Sequence, residues 1–105
     1  AKKNLINYKK VKVLMQRVEN MIFKTREKFD LIVLDPPRSG AGVKVMQSIC
    51  KKAKEKIIYI ACDPASLARD TAVAKENGWL LEKVEVFDFF PMTHHFESVA
   101  VFTRG

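Results

Sequence analysis

The residue in this chain best placed to do covalent chemistry is Cys62. It follows an apolar run, Ile57-Ile58-Tyr59-Ile60-Ala61, and precedes Asp63-Pro64, a plausible N-cap and first helical residue. A helix N-terminus favours an anion, so a thiol at this junction is a candidate nucleophile; the alternative is a small buried hydrophobe. Cys50, on the apolar stripe of a helix, fits that second description. A second group is the turn Asp35-Pro36-Pro37-Arg38. Its carboxylate could hold a cofactor or a base edge, and Arg38 could meet phosphate or a carbonyl. Equally, the turn could be a strand terminator with an internal Asp–Arg contact. A third is Phe89-Phe90-Pro91-Met92-Thr93-His94-His95-Phe96-Glu97, where aromatics, histidines and an acid suit a pocket that stacks an unpaired base. Glu97 could also be a solvated residue at a strand start. His94 and His95 are adjacent, so on extended backbone they point to opposite sides, and no further ligand spacing follows; no metal site is expected.

These groups need elements to hold them. Val11 to Met15 alternates as a strand does, Ala1 to Ile6 reads as a helix tail, and Val18 to Glu27 as a short helix or irregular connection. Leu31 to Leu34 is a continuous apolar run stopped by two prolines that have no N–H to offer a ladder. Such a run belongs inside a parallel sheet with helices on both sides. Gly40 and Gly42 supply a turn, and apolar positions recur at helical spacing from Val43 to Lys54. Ile57 to Ala61 is the next strand, and a helix runs from Pro64 to about Asn77 with Gly78 as its stop. Leu81 to Phe90 and Phe96 to Thr103 are the last strands, with Asp88 through His95 as the loop between them. Alternating strands and helices imply a mostly parallel α/β sheet, and the short final connection implies an antiparallel last strand. In such sheets ligands sit beyond the carboxyl ends of the strands, where Asp35 and Cys62 both fall.

The 105 residues, without repeats or a linker, make one small domain. At 48% apolar and 30% charged the chain is too apolar for disorder. It has no run long enough for a membrane helix and no leader-like start, so a cytoplasmic protein is expected. Two cysteines are too few for a disulfide framework. The net charge of +7 is concentrated: residues 1–28 hold nine Lys/Arg against two Glu, and residues 29–105 hold ten of each sign. A basic lobe suits RNA, although lysines also simply solvate surfaces.

Three stretches together closely resemble the RNA 5-methyluridine methyltransferases that act on transfer and ribosomal RNA. They are L-D-P-P-R-S-G-A-G from Leu34, Y-I-A-C-D-P-A-S-L-A-R-D from Tyr59 and F-D-F-F-P-M-T-H-H-F-E-S-V from Phe87. The resemblance runs from about Val11 to Arg104. It implies the C-terminal half of a Rossmann-like methyltransferase fold, S-adenosylmethionine as cofactor, and RNA as partner. It further implies Cys62 as a nucleophile toward uracil C6 and Glu97 as the base that removes the C5 proton. Asp35 would lie where cofactor and uracil meet, and Arg38 would orient substrate or brace the turn.

The chain departs from the family pattern in three respects. Asp63 stands where many members have Asn, and Arg17 falls about where a short polar or acidic cofactor contact is usual, so that contact is not carried over. Gly40, Gly42, Gly78 and Gly105 are the only glycines, and none makes a cofactor turn. Residues 1–105 are therefore expected to be a partial catalytic domain, inactive alone, without the glycine-rich motif or N-terminal RNA-binding parts. Its cut sheet edge could pair two copies. Two other readings remain: an inactive RNA-binding module resting on the basic first 28 residues, and an amino-group methyltransferase using the Asp-Pro-Pro turn. The latter gives Cys62 and Glu97 no role.

Overall fold

The fold is seen in a computed structural model that describes residues 10–14, 24, 26–90 and 95–104, with the side chains of 88–90, 95 and 96 outside the description. The helix tail expected at residues 1–6, Arg17 and most of the connection expected at 18–27 fall outside these residues.

Strand β1 (Val11–Leu14) pairs in parallel with β2 (Phe29–Leu34), and β2 in parallel with β3 (Ala53–Ala61). Strands β4 (Trp79–Phe90) and β5 (His95–Arg104) form an antiparallel pair, and β5 also lies antiparallel against β3. The sheet order is β1-β2-β3-β5-β4, so the last strand in sequence is inserted between β3 and β4. This is the expected mixed α/β sheet, mostly parallel with an antiparallel last strand.

Helix α1 (Val43–Lys52) buries Met46, Ile49 and Cys50. It ends two residues before the expected Lys54, because Ala53 is already extended and enters β3 directly. The charged Lys54-Glu55-Lys56 belongs to β3, which its polarity disguises. Helix α2 (Pro64–Glu76) begins as expected, with Asp63 accepting from the Ser66 N–H at 3.2 Å and Pro64 in the first turn. Asn77 caps its end, and Gly78 follows at φ 86, within the left-handed region.

Both helices pack on the sheet face that carries Ile32, Leu34, Ile57, Tyr59, Ala61, Ala100 and Phe102, and with them form one core. The expectation of helices on both faces is corrected for the described residues. The crossovers β2–α1–β3 and β3–α2–β4 step the same way across the sheet, and right-handed crossovers then put both helices on one side. The opposite face, with Val33, Ile58, Ile60, Val99 and Val101, is only half-buried. The loop expected over Asp88–His95 is also shorter. Phe90 pairs with His95, so β4 and β5 continue on either side of 91–94.

The lower end of the sheet is closed by Trp79 and Arg104. The buried Trp79 ring donates from Nε1 to Cys50 O at 3.2 Å. Arg104 stacks over that ring at 5.0 Å and donates to Cys50 O at 3.4 Å and Ala53 O at 3.2 Å. Carbonyls at the C-terminus of α1, left without helical partners, are thereby satisfied by donors, one of them cationic.

Candidate active site

The carboxyl ends of β2 and β3 and the amino end of β5 meet at the upper rim of the sheet, and each delivers one reactive group. Leu34 is in register with Tyr59, so Asp35 leaves β2 at the level of Ile60. Ala61 pairs with Ser98, so Cys62 and Glu97 each lie one residue beyond that rung, on neighbouring strands. Asp35 is half-buried and fixed by its N–H, which donates to Leu14 O at 2.9 Å; Pro36 behind it is buried. Arg38, Cys62 and Glu97 are exposed. The four residues singled out in the sequence thus occupy one edge. Among the described residues, the Asp35 and Glu97 carboxylates and the Cys62 thiol have no hydrogen-bond or ion-pair partner.

The neighbouring acids are committed elsewhere. Asp63 adjoins Cys62 in sequence, but its carboxylate is turned to Ser66, taking the backbone N–H at 3.2 Å and lying 2.8 Å from the hydroxyl. The Ser66 hydroxyl first, then its N–H, hold this carboxyl below the usual carboxylate range, with a smaller contribution from the Arg38 charge. Cys50 is buried on α1, and desolvation pushes its thiol up to about 11, as suits an apolar filler. Two free thiols therefore divide into one buried and one presented at the rim.

Three residues of α2 also hold the loop that follows Asp35. The Ser66 hydroxyl lies 2.7 Å from Arg38 O, with its one proton to share between that carbonyl and Asp63. Arg69 donates to Ser39 O. Asp70, fully buried, accepts from the N–H of Ala41 at 2.8 Å, the N–H of Gly42 at 3.3 Å and the Tyr59 hydroxyl at 2.5 Å. Burial, and then the bond to Asp70, push the Tyr59 hydroxyl up, so it remains a donor. Gly40, at φ 88, lies against this cluster: a Cβ there would stand 2.8 Å from Asp70 Oδ2. Sequence reasoning assigned none of Tyr59, Ser66, Arg69 or Asp70 a role. The available signal was Asp70 itself, an acid in helical phase with Leu67, Val73 and Ala74 on the buried stripe of α2.

The side chains of the aromatic and histidine stretch lie outside the described residues until Glu97, so its reading as a base-binding pocket remains an expectation. Among the described residues no group of three or more His, Cys, Asp or Glu gathers as a metal site would require. Among the described residues the positive-φ glycines are Gly40, Gly42 and Gly78; the first two belong to the loop held by α2 and the third ends that helix. A recess lined by Arg26, Lys28, Lys51, Lys52 and Arg104 lies at the opposite end of the sheet, away from the groups at the rim.

The arrangement can present a nucleophile and a base to one substrate from adjacent strands, with a further carboxylate alongside. Known proteins resemble this chain in sequence and in fold. The sequence profile of the tRNA (Uracil-5-)-methyltransferase family matches residues 5–104. A Streptomyces avermitilis protein described as an uncharacterized RNA methyltransferase is 43% identical over 102 residues, which cover 96% of this chain and 24% of that protein. One from Thermotoga maritima with the same description is 39% identical over 105 residues, covering 100% of this chain and 24% of that protein. The chain thus spans about a quarter of the length of these curated relatives. Among solved structures, the Pyrococcus abyssi tRNA (uracil-54, C5)-methyltransferase in complex with S-adenosyl-L-homocysteine superposes with a TM-score of 0.65 at 28% identity. That match covers 75% of this chain and 19% of the other. The M1.HpyAVI–SAM complex, at 13% identity and a TM-score of 0.63 over 90% of this chain and 55% of the other, shares the fold.

Proposed function

This chain belongs to the tRNA (Uracil-5-)-methyltransferase family, and on that premise we propose that it carries the reacting groups for methylating C5 of a uridine in RNA. The observation that carries the reading is the placement of Cys62 and Glu97 beyond one rung of β3 and β5, both exposed and both uncommitted among the described residues. A uridine entering the rim between them meets a thiol and a carboxylate together.

Uracil C5 is too weak a nucleophile to take a methyl group unaided. The Cys62 thiolate adds to C6, forming an S–C6 bond and moving the C5–C6 π pair toward C5 and the C4 carbonyl oxygen. C5 then has the electron density to accept a methyl group. Glu97 removes the remaining C5 proton, the C5–C6 double bond re-forms, and the S–C6 electron pair returns to Cys62. Arg38, exposed beside the turn, is placed to meet a phosphate or a uracil carbonyl.

The methyl donor, S-adenosylmethionine, supplies an electrophilic methyl group on sulfur. The described residues fit part of its site: Asp35, half-buried at the end of β2 and unpaired among the described residues, is the group that would hold it. The RNA class, the donor and the covalent route are properties of the full-length protein, and the reading is tested there. Intact mass and peptide mapping after incubation with S-adenosylmethionine and 5-fluorouridine-substituted RNA should show an adduct on Cys62, because fluorine at C5 cannot leave as a proton. RNA that binds and is methylated normally but leaves no adduct when fluorinated would refute addition to C6.

A further inference from the structure

We infer that Asp70 is a positioning residue for this reaction: from within α2 it fixes the Asp35–Arg38 turn relative to Cys62. The inference rests on the uridine-methylation reading. Cys62 immediately precedes the N-cap of α2, so the height of the nucleophile is set by that helix. Asp70 lies two turns further along the same rigid rod. Its carboxylate reaches out of α2 to the loop joining β2 to α1 and takes the N–H groups of Ala41 and Gly42. Helix α1 opens on Gly42, and the N–H groups of Ala41 and Gly42, which precede its first turn, find their acceptor on another helix. Ser66, at Arg38 O, repeats the connection one turn nearer the thiol, and Arg69, adjacent to Asp70 in the chain, adds a further one at Ser39 O. Every loop residue from Arg38 to Gly42 thus either meets an α2 side chain directly or, at Gly40, packs so closely that a Cβ would collide with Asp70.

The buried position of Asp70 is informative. An acid there must find hydrogen-bond donors, and those it finds belong to the loop and to Tyr59 in β3. One carboxylate therefore ties together the strand that leads to Cys62, the helix that follows it, and the loop that follows the Asp35–Arg38 turn. A reaction that needs nucleophile and carboxylate in register is sensitive to such a tie, since a misplacement of about 1 Å can lower a rate on the order of a hundredfold.

The test uses the full-length protein and three variants, Asp70→Asn, Ser66→Ala and Cys50→Ala. Measured quantities are the single-turnover rate of adduct formation with 5-fluorouridine RNA, kcat and KM for unmodified RNA, and the melting temperature. Asparagine presents an NH2 group where one carboxylate oxygen meets a loop N–H, so the clamp is broken with little change of shape. Asp70→Asn should slow adduct formation and kcat by about tenfold to a hundredfold with KM changed by less than about twofold. Ser66→Ala should lower kcat in the same sense by a smaller factor. Cys50→Ala, a core truncation outside the network, should lose melting temperature and keep its adduct rate. A folded Asp70→Asn protein with wild-type kcat, or with its loss confined to KM, overturns the inference. If Asp70→Asn does not fold, Ser66→Ala decides, and an unchanged kcat there overturns it. A wild-type protein that binds and methylates normal RNA yet forms no adduct removes the uridine-addition reading and this inference with it.

Discussion

Cys62 and Glu97 are reached from opposite chain directions by one step beyond a single paired rung, Ala61 with Ser98. Strand β5 runs against β3, so the end of one strand and the beginning of the other arrive at the same rim. A residue from the last strand in sequence is thereby brought beside a residue from the middle of the chain. Such a pair can serve successive halves of one reaction, addition and proton removal.

The two residues should fail differently when replaced in the full-length protein. Cys62→Ala should form no RNA adduct and lose turnover. Glu97→Gln should still add to C6 and accept methyl, then stall, with turnover lower by about a hundredfold to ten-thousandfold. Denaturing gels with unmodified RNA check this: a persistent protein–RNA band is expected in Glu97→Gln and in neither wild type nor Cys62→Ala. A Glu97→Gln enzyme that turns over normally would show that another group is the base.

The two thiols should react unequally. Cys62 is exposed and Cys50 is buried with its thiol pushed up to about 11. Brief iodoacetamide treatment of the native protein near pH 8, followed by peptide mapping, should label Cys62 and spare Cys50. Equal labelling would mean that α1 does not shield Cys50 as described.

Gly40 and Gly42 separate backbone strain from collision. Both have left-handed φ, 88 and 91, so alanine at either is strained by roughly 1–3 kcal/mol. At Gly40 the new Cβ would also stand 2.8 Å from Asp70 Oδ2, whereas at Gly42 it meets nothing within 4 Å. Thermal melts should show Gly40→Ala as the more destabilised of the two. The reverse order would refute the close approach of Asp70 to the loop.

Asp63 should make stability depend on pH. Its folded-state pKa is depressed by Ser66, so its contribution is present above the unfolded value of about 3.9 and disappears as pH falls through the lower folded value. Asp63→Asn keeps a capping side chain that does not titrate. The difference in melting temperature between wild type and variant should be constant above about pH 5 and shift against wild type below it. A difference that is the same at neutral and acid pH would show that the carboxylate's charge contributes nothing to the cap.

Much of the site was legible because its signals are local. The run Leu31–Leu34 ending in two prolines, and Cys62 followed by an N-cap and Pro64, each specify a strand end from a few adjacent residues. The lower part of β3 was hidden because Lys54-Glu55-Lys56 interrupts the apolar pattern, while Ala53 pairs with β2 and Lys56 with both β2 and β5. Among the described residues the expectation of helices on both faces is not met, because an apolar run records burial without saying which element does the burying.

By itself, then, the sequence determined which groups could react and that Asp35 and Cys62 lie at the carboxyl ends of strands, since caps, prolines and apolar periodicity act over a few residues. Only the tertiary structure decided that β5 enters between β3 and β4, bringing Glu97 level with Cys62, and that Asp70 of α2 reaches the loop after Asp35. Both relationships join residues far apart in the chain. Ladder hydrogen bonds and the burial of a carboxylate among backbone donors are satisfied only once the sheet and its helices have packed together.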